Sequence, residues 1–366
     1  MKKIIIFMPD ISFGGVEKNF FNISNFLKKK KLDISILTLS KFPRNKLNKD
    51  IRIIRPEKKF FHSLGRKLKF FICLVFLIRE IIFNKQITVF CFQGIIYCTL
   101  ICKIFSRKII VRSNTSPTGW SKNCLKVFFY KKIYKLADLI IVNSIEFKKE
   151  LKKNLNLDAK CIYNPLDSKI IIKKSKKKIS TRFFDNKFLN VINIARLDQQ
   201  KDHMTLLKSI KIVKKKINIK LLIVGSGSEE KNLKEFIKNC NLENTVKIIP
   251  YKSNPFPIIK KADLFILSSK YEGLPNTLLE VALLKKPIIS SNCPTGPKEI
   301  LSYGKGGILF KTGDYLDLSN KIILFSKKKK KYKKKINFAY DNLSKFDYQN
   351  RMLDYYNLIY SFINKK

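Results

Sequence analysis

Short, wholly apolar runs alternate with longer helical patterns, and the alternation is carried through twice. This constrains the fold more than any other feature of the chain. In the first half, Lys3–Met8, Ile34–Leu39, Ile51–Arg55, Thr88–Phe92, Lys108–Arg112 and Leu139–Val142 read as strands. Between them, Glu17–Lys29, Leu64–Phe83, Gly94–Phe105, Leu125–Leu136 and Ile145–Asn154 read as helices. Apolar runs without polar interruption suit strands covered on both faces, and β-α alternation provides that cover in a doubly wound, mostly parallel sheet. After Tyr163-Asn164-Pro165-Leu166-Asp167, the lysine-rich and poorly patterned Ser168–Lys187 reads as a linker or exposed loop.

The alternation then restarts. Strands are expected at Phe188–Ile194, Lys220–Val224, Val246–Pro250, Leu264–Ser269, Ile288–Ser291 and Gly307–Phe310. Helices are expected near Met204–Lys215, Glu230–Asn239, Asn276–Leu284 and Lys298–Ser302. At 366 residues the chain can hold two cores. The expected class is α/β, with domains at 1–167 and 168–345. Tyr348–Asn364 is amphipathic, with apolar residues at Met352, Leu353, Tyr356, Ile359 and Ile363. The lysine run Lys327–Lys335, broken only by Tyr332, reads as a solvated face on or between late helices.

The stretch ADLFILSSKYEGLPNTLLEVALLKKPIISSNCPTGPKEIL, Ala262–Leu301, carries the densest chemistry. A buried strand runs into the loop Glu272-Gly273-Leu274-Pro275-Asn276, then a helix, then a second buried strand. Such a loop lies at the carboxyl end of its strand, where open α/β sheets bind ligands. The following helix start offers unpaired N–H groups to an anion. Two readings of the carboxylates stay open on spacing alone. Thr277-Leu278-Leu279-Glu280 fits a capping box, and Glu272 fits a solvated loop charge. Alternatively both carboxylates face a ligand.

The string YEGLPNTLLEVALLKKPIISSNCPTGPKEIL closely resembles the E-x7-E region of the retaining family 4 glycosyltransferases. That resemblance implies the GT-B fold, two Rossmann-like doubly wound domains facing each other across a cleft. The donor is then expected on the second domain, the acceptor on the first, and the last helix (about 346–366) packed back on the first domain. It also implies that Glu272 and the Gly273, Leu274, Pro275 and Asn276 loop orient the donor sugar, and that Glu280 holds the ribose hydroxyls. Asn292-Cys293-Pro294-Thr295-Gly296-Pro297-Lys298-Glu299 resembles a further cleft-side turn of the family.

Ile194-Ala195-Arg196-Leu197-Asp198-Gln199-Gln200-Lys201-Asp202 ends the first strand of the second half. An Arg and a Lys at such a loop can clamp a pyrophosphate from two sides and neutralise a departing diphosphate without a metal. Surface Arg and Lys in a lysine-saturated chain are the plain alternative, although Arg196 is one of only ten arginines. The string is similar to the family's A/G-R-L-x-x-x-K-D/G clamp. Phe13-Gly14-Gly15-Val16-Glu17 is either a tight βα connection or a phosphate-facing glycine loop. The family has a G-G loop there. Val224-Gly225-Ser226-Gly227 resembles the family's V-G-x-G segment beside the nucleotide. Many members carry a His where this chain reads Arg112-Ser113-Asn114-Thr115; Arg112 or Asn114 is the expected substitute on the sugar or acceptor side. Asn143-Ser144 and Asn164-Pro165 resemble structural and hinge landmarks.

The charge balance is extreme, 76 Lys and Arg against 27 Asp and Glu, a net +49. It favours anionic partners, or it reflects compositional drift toward Lys, Ile, Asn and Phe. Eight cysteines form no C-x-x-C pair and no Cys/His cluster, which points to a reducing compartment and no structural zinc. With only His62 and His203, a histidine-based site is not expected. The N-terminal apolar run is too short for a signal segment. Phe70–Phe83, broken by Arg79 and Glu80, is shorter than the roughly 20 residues of a membrane span. It suits an interfacial helix or a buried one.

The expectation is therefore a retaining transferase moving a hexose or N-acetylhexosamine from a nucleotide sugar, UDP-linked by preference. The acceptor is a glycan or polyprenyl-linked glycan of cell-surface polysaccharide synthesis. The enzyme would sit in the cytoplasm, peripherally on an anionic inner membrane face. No cofactor, metal or nucleic-acid partner is expected; the family's usual route is same-face attack assisted by the leaving phosphate. The competing classes are a basic nucleic-acid-binding protein, though no such module is recognisable, and a GT-B relative acting as epimerase or phosphorylase.

Overall fold

The structure is a computed structural model that describes residues 3–11, 14–56, 64–114, 123–179 and 183–365. The chain divides into two compact units, Met1–Pro165 with Gln349–Lys366, and Leu166–Tyr348.

The first unit contains β1 (Lys3–Phe7), α1 (Gly15–Lys29), β2 (Ile34–Leu37), β3 (Arg52–Ile54), α2 (Arg66–Phe83), β4 (Ile87–Cys91) and α3 (Ile95–Ile104). It continues with β5 (Lys108–Arg112), α4 (Cys124–Lys135), β6 (Leu139–Val142), α5 (Ile145–Leu155) and β7 (Lys160–Cys161). Its strands form one parallel sheet in the order β3-β2-β1-β4-β5-β6-β7. The winding direction reverses between β1 and β4, whose register pairs Ile5 with Val89 and Phe7 with Cys91. Continuous apolar runs such as Lys3–Phe7 and Ile87–Cys91 lose both faces to covering helices, so every residue after Lys3 in β1 is buried.

The second unit contains α6 (Ser168–Ser175), β8 (Leu189–Ile194), α7 (His203–Val213), β9 (Ile219–Val224), α8 (Glu230–Asn239), β10 (Val246–Ile249) and α9 (Phe256–Lys261). After these come β11 (Leu264–Leu267), α10 (Asn276–Leu283), β12 (Ile288–Ser291), α11 (Pro297–Ile300), β13 (Ile308–Phe310), α12 (Tyr315–Lys327) and α13 (Lys333–Asp341). Its parallel sheet runs β10-β9-β8-β11-β12-β13 and reverses between β8 and β11.

Ser168–Lys187 departs from the linker reading. Its first turns form α6, because Asp167 accepts a hydrogen bond from the Ile170 N–H at 3.0 Å and Ile171 and Ser175 find buried places. Lysine-rich composition hid a capped helix with a narrow apolar edge. Lys329–Tyr332 forms an exposed 3₁₀ turn between α12 and α13, a solvated face as read from the sequence.

The last helix, α14 (Tyr348–Asn364), belongs from Gln349 onward to the first unit. Met352, Tyr355, Ile359 and Ile363 are its buried stripe. Tyr355 therefore replaces Leu353 and Tyr356 of the expected pattern, since its hydroxyl has a buried partner in Arg112. The cysteines whose side chains are described are free thiols, and Cys73, Cys91, Cys98, Cys102 and Cys293 are buried. His62, Phe13 and Thr115 lie outside the described residues, as does the side chain of Cys124. Among the described residues no helix is long and apolar enough to cross a membrane.

Candidate functional site

In the second unit, the loops after β8 and β11 leave the sheet side by side, because these strands are neighbours at the point where winding reverses. This is where doubly wound sheets bind ligands. The loop after β8 is fixed before it reaches Lys201. Leu197 is buried, and its N–H donates to the Ser226 carbonyl at 3.0 Å. Asp198 accepts from the Lys201 N–H, closing a 3₁₀ turn over Gln199–Lys201. Asp202 then adopts a left-handed conformation (φ 48°) and caps α7, accepting from the Thr205 hydroxyl at 2.7 Å.

The two loops are stitched together by hydrogen bonds to main-chain carbonyls. The Lys270 N–H donates to the Gln200 carbonyl at 2.8 Å, and the Gln200 side-chain amide donates to the Tyr271 carbonyl at 2.8 Å. The Ser268 hydroxyl donates to the Lys201 carbonyl at 2.8 Å. Across this seam Lys201 Nζ lies 2.6 Å from Glu272 Oε1, and the Ser269 hydroxyl donates to the same oxygen at 2.6 Å. Glu272 is 5% exposed. Its charge is compensated by one cation and one hydroxyl, as a buried carboxylate requires. Arg196 is different: its side chain is 57% exposed, and its ion pair among the described residues is with Asp198, at 3.2 Å.

A third loop supports the first two. Thr295, at φ 65°, donates its hydroxyl to the carbonyls of Glu272 and Gly273. Gly296 is required next to it, because a Cβ there would lie 2.1 Å from the Gly273 oxygen. Leu274 and Pro275 are buried and lead into α10.

Pro275 takes the N-cap place of α10, so Thr277 sits at the second helical position and not at the cap. The capping box read from Thr277 and Glu280 therefore lacks its first member. Glu280 is buried on the second turn, 9% exposed, on the same helix that the Glu272 loop starts. Asn276 opens that helix, half-buried.

Gly225 was expected beside the nucleotide, and its geometry shows a different constraint. Its N–H donates to the Ile249 carbonyl at 2.9 Å, and a Cβ would meet the Ala195 oxygen at 1.9 Å. Gly225 thus lets the β9 end pack on the Arg196 loop, and its amide is already engaged.

Sequence reasoning missed the supports. Ser268, Ser269, Thr295 and His203 are all buried. The available signal was polar residues at the end of an otherwise apolar parallel strand, as in Phe265-Ile266-Leu267-Ser268-Ser269. His203 Nε2 meets Asn193 Oδ1 at 3.0 Å, and Asn193 donates to the Ile266 carbonyl at 2.8 Å. Burial, with Lys201 nearby, pulls the His203 pKa down to about 4, so the ring is a neutral strut behind the seam.

In the first unit, Gly14 is the extended N-cap of α1 (φ 173°) and accepts the Lys18 N–H at 3.2 Å. Gly14 and Gly15 are exposed at the carboxyl edge of that unit's sheet. Beside β1 lies a polar cluster the sequence did not disclose. Asp10 accepts from the Ser40 hydroxyl at 3.0 Å and from Lys69 at 3.4 Å, while Gln93 donates to the Asp10 carbonyl at 2.8 Å.

Arg112 does not take the sugar-facing place expected of it. It is wholly buried, donating to the Tyr355 hydroxyl at 2.9 Å, to Asn164 at 2.8 Å and to Asn114 Oδ1, with its guanidinium 5.5 Å from the Phe92 ring centroid. A buried cation must be fully hydrogen-bonded, and these partners use it to hold α14. Asn114 is half-buried, with both ends of its amide turned to Arg112.

A family model described as "Glycosyltransferase Family 4" matches residues 13–169, and one described as "Glycosyl transferases group 1" matches residues 174–342. The chain belongs to the family 4 glycosyltransferases. It is 34% identical over 250 residues to an uncharacterized glycosyltransferase of Methanocaldococcus jannaschii, covering 60% of each chain. It is 27% identical over 223 residues to the Campylobacter jejuni N-acetylgalactosamine-N,N'-diacetylbacillosaminyl-diphospho-undecaprenol 4-alpha-N-acetylgalactosaminyltransferase, covering 58% of this chain and 59% of that one. The chain thus spans about three fifths of the length of these two relatives. The Anabaena HepE structure with UDP and glucose superposes with a TM-score of 0.76 at 18% identity, over 99% of both chains. The two parallel sheets with alternating helices are those of a GT-B glycosyltransferase.

Within this glycosyltransferase fold, the structure brings Lys201 and Glu272 into contact and places Arg196 on the same loop as Lys201. Glu280 lies on the helix after the Glu272 loop. Gly14, Gly15, Arg112 and Asn114 all belong to the other unit.

Proposed function

We propose that this protein is a retaining glycosyltransferase that moves a hexose or N-acetylhexosamine from a UDP-linked donor to a glycan or polyprenyl-linked acceptor. One observation carries the reading: the Lys201–Glu272 pair at 2.6 Å, set where the second unit's sheet reverses its winding. Lys201 has three ammonium donors, and the Glu272 contact uses one of them. With the exposed Arg196 guanidinium on the same loop, it meets a diphosphate from two sides as the sugar departs. Glu272 and the Gly273–Asn276 loop orient the sugar, and Glu280 accepts from the ribose hydroxyls. Fixed cations, not a metal ion, neutralise the leaving group. The undecaprenol-linked acceptor of the Campylobacter relative and the UDP of the HepE complex support the acceptor and donor classes. Such an acceptor sits at the cytoplasmic face of a membrane, where this strongly basic chain would bind peripherally.

The test is UDP release with labelled UDP-hexoses and UDP-N-acetylhexosamines, with and without a short-chain polyprenyl-diphosphate sugar. Acceptor-dependent release with an α-linked product supports the proposal. An inverted product overturns the retaining assignment, and acceptor-independent interconversion of the sugar overturns transfer itself.

A further inference from the structure

The layer formed by α2, α3 and α4 on one face of the first unit's sheet departs from the ordinary covering helix. α2 buries Cys73, Leu77 and Ile81 toward the sheet. Its opposite stripe, at the same three-to-four spacing, is also apolar: Leu68, Phe71, Val75 and Ile82 are 47 to 65% exposed. A helix apolar on both sides is expected inside a core or in lipid, not facing water. α3 repeats the pattern, burying Cys98 and Cys102 and turning Tyr97, Leu100 and Ile104 outward. So does α4, where Leu125, Phe128 and Phe129 are exposed. α3 packs against both α2 and α4, so the three stripes share one layer.

Charge selects the occupant. The three helices carry a single carboxylate, Glu80, and it is paired with Lys3 at 3.1 Å and Arg52 at 3.5 Å. Their exposed charges, Arg66, Lys67, Arg79, Lys126, Lys132 and Lys135, are all positive. A second copy of this chain docked through the same face would set like charges against each other. A bilayer with anionic headgroups takes the apolar side chains below its phosphates and the cations at their level. The layer also borders the acceptor-side unit's polar cluster. Lys69 of α2 reaches Asp10 at the end of β1, while its neighbours Leu68 and Phe71 point outward.

We infer that the α2–α4 face docks the protein on an anionic lipid bilayer. The inference rests on the reading of the acceptor as lipid-linked, and it adds which surface meets the lipid.

The experiment is sedimentation of the full chain with vesicles of phosphatidylethanolamine and phosphatidylglycerol, and with phosphatidylcholine alone, across a salt series. The expected result is binding to the anionic vesicles that weakens as salt rises, and little binding to phosphatidylcholine. Phe71→Asp, Ile104→Asp and Phe128→Asp combined lower it by about tenfold or more, with thermal stability unchanged because all three are exposed. If the triple variant does not fold, Ile104→Asp alone is read. Lys231→Glu with Lys234→Glu, on α8 of the other unit, binds like the unaltered chain. Three results overturn the inference: no binding of the unaltered chain, equal binding by the apolar-face variants, or a lipid-free dimer that those variants dissociate. Donor-induced thermal shifts measured without lipid report separately on the transfer reading. Their absence alongside intact vesicle binding would remove that reading and leave the docking face standing.

Discussion

Lys201 Nζ lies 2.6 Å from Glu272 Oε1 and so joins the loops that follow two adjacent parallel strands, β8 and β11. The pair is nearly buried, with side-chain exposures of 15% and 7%. Its position at the winding reversal makes it both a structural seam and the centre of the proposed donor site. The predictions separate these two roles.

Lys201→Ala should lower transfer by about 10²- to 10³-fold, the scale seen when one fixed donor to a developing charge is removed. It also leaves Glu272 with the Ser269 hydroxyl as its remaining side-chain partner among the described residues, costing roughly 1–3 kcal/mol of stability. Glu272→Gln keeps that hydroxyl contact and should lose activity with a smaller stability change. Rates and urea midpoints measured on both variants decide. Full activity in either one would remove the pair from the mechanism.

Arg196→Ala should separate the roles more cleanly. Its side chain is 57% exposed and its ion pair, among the described residues, is with the nearby Asp198, so stability should stay within about 0.5 kcal/mol. Donor affinity and turnover should both fall, and EDTA should leave the unaltered enzyme's rate unchanged. A wild-type KM and kcat in Arg196→Ala would show that the guanidinium is an ordinary surface charge.

The strands were legible because buried parallel strands are unbroken apolar runs, as in Lys3–Phe7 and Leu264–Leu267. α6 was not, because Asp167 as cap and two buried side chains carry it against a lysine-rich background. At the site, the charged members stood out by residue type and spacing. Ser269 and Thr295 did not, since a hydroxyl gives no periodic signal until the fold brings its partner near. Arg112 misled for the opposite reason: a rare cation at a strand end looks functional, but α14 returns from far along the chain to cover it.

Arg112 should therefore matter for stability. Arg112→Ala takes the guanidinium away from Asn114, Asn164 and Tyr355 and opens a cavity, costing about 3–5 kcal/mol. Tyr355→Phe removes one hydrogen bond and should cost about 1 kcal/mol. Denaturant unfolding of both variants tests this. A near-neutral Arg112→Ala would return the residue to the list of ligand contacts.

His203 should give the fold a pH dependence. Its pKa is lowered in the folded chain from 6.5 to about 4, mainly by burial. Between those values the unfolded chain binds a proton that the folded chain refuses. Its contribution is thus fully present above pH 6.5 and lost as pH falls toward 4, by about 3 kcal/mol over the window. His203→Gln should flatten that part of the stability–pH curve. A curve of unchanged slope would mean the ring titrates normally.

The central claim is that the switch-point loops of the second unit hold a nucleotide diphosphate sugar. The direct measurement is calorimetric titration of UDP-hexoses and UDP-N-acetylhexosamines into the intact chain and into the Arg196→Ala/Lys201→Ala double variant. The account predicts saturable binding of at least one donor by the intact chain, weakened about 100-fold or more in the double variant, in line with losing two charge-assisted contacts. Equal affinity in the two proteins, or no donor bound by the intact chain, would contradict it.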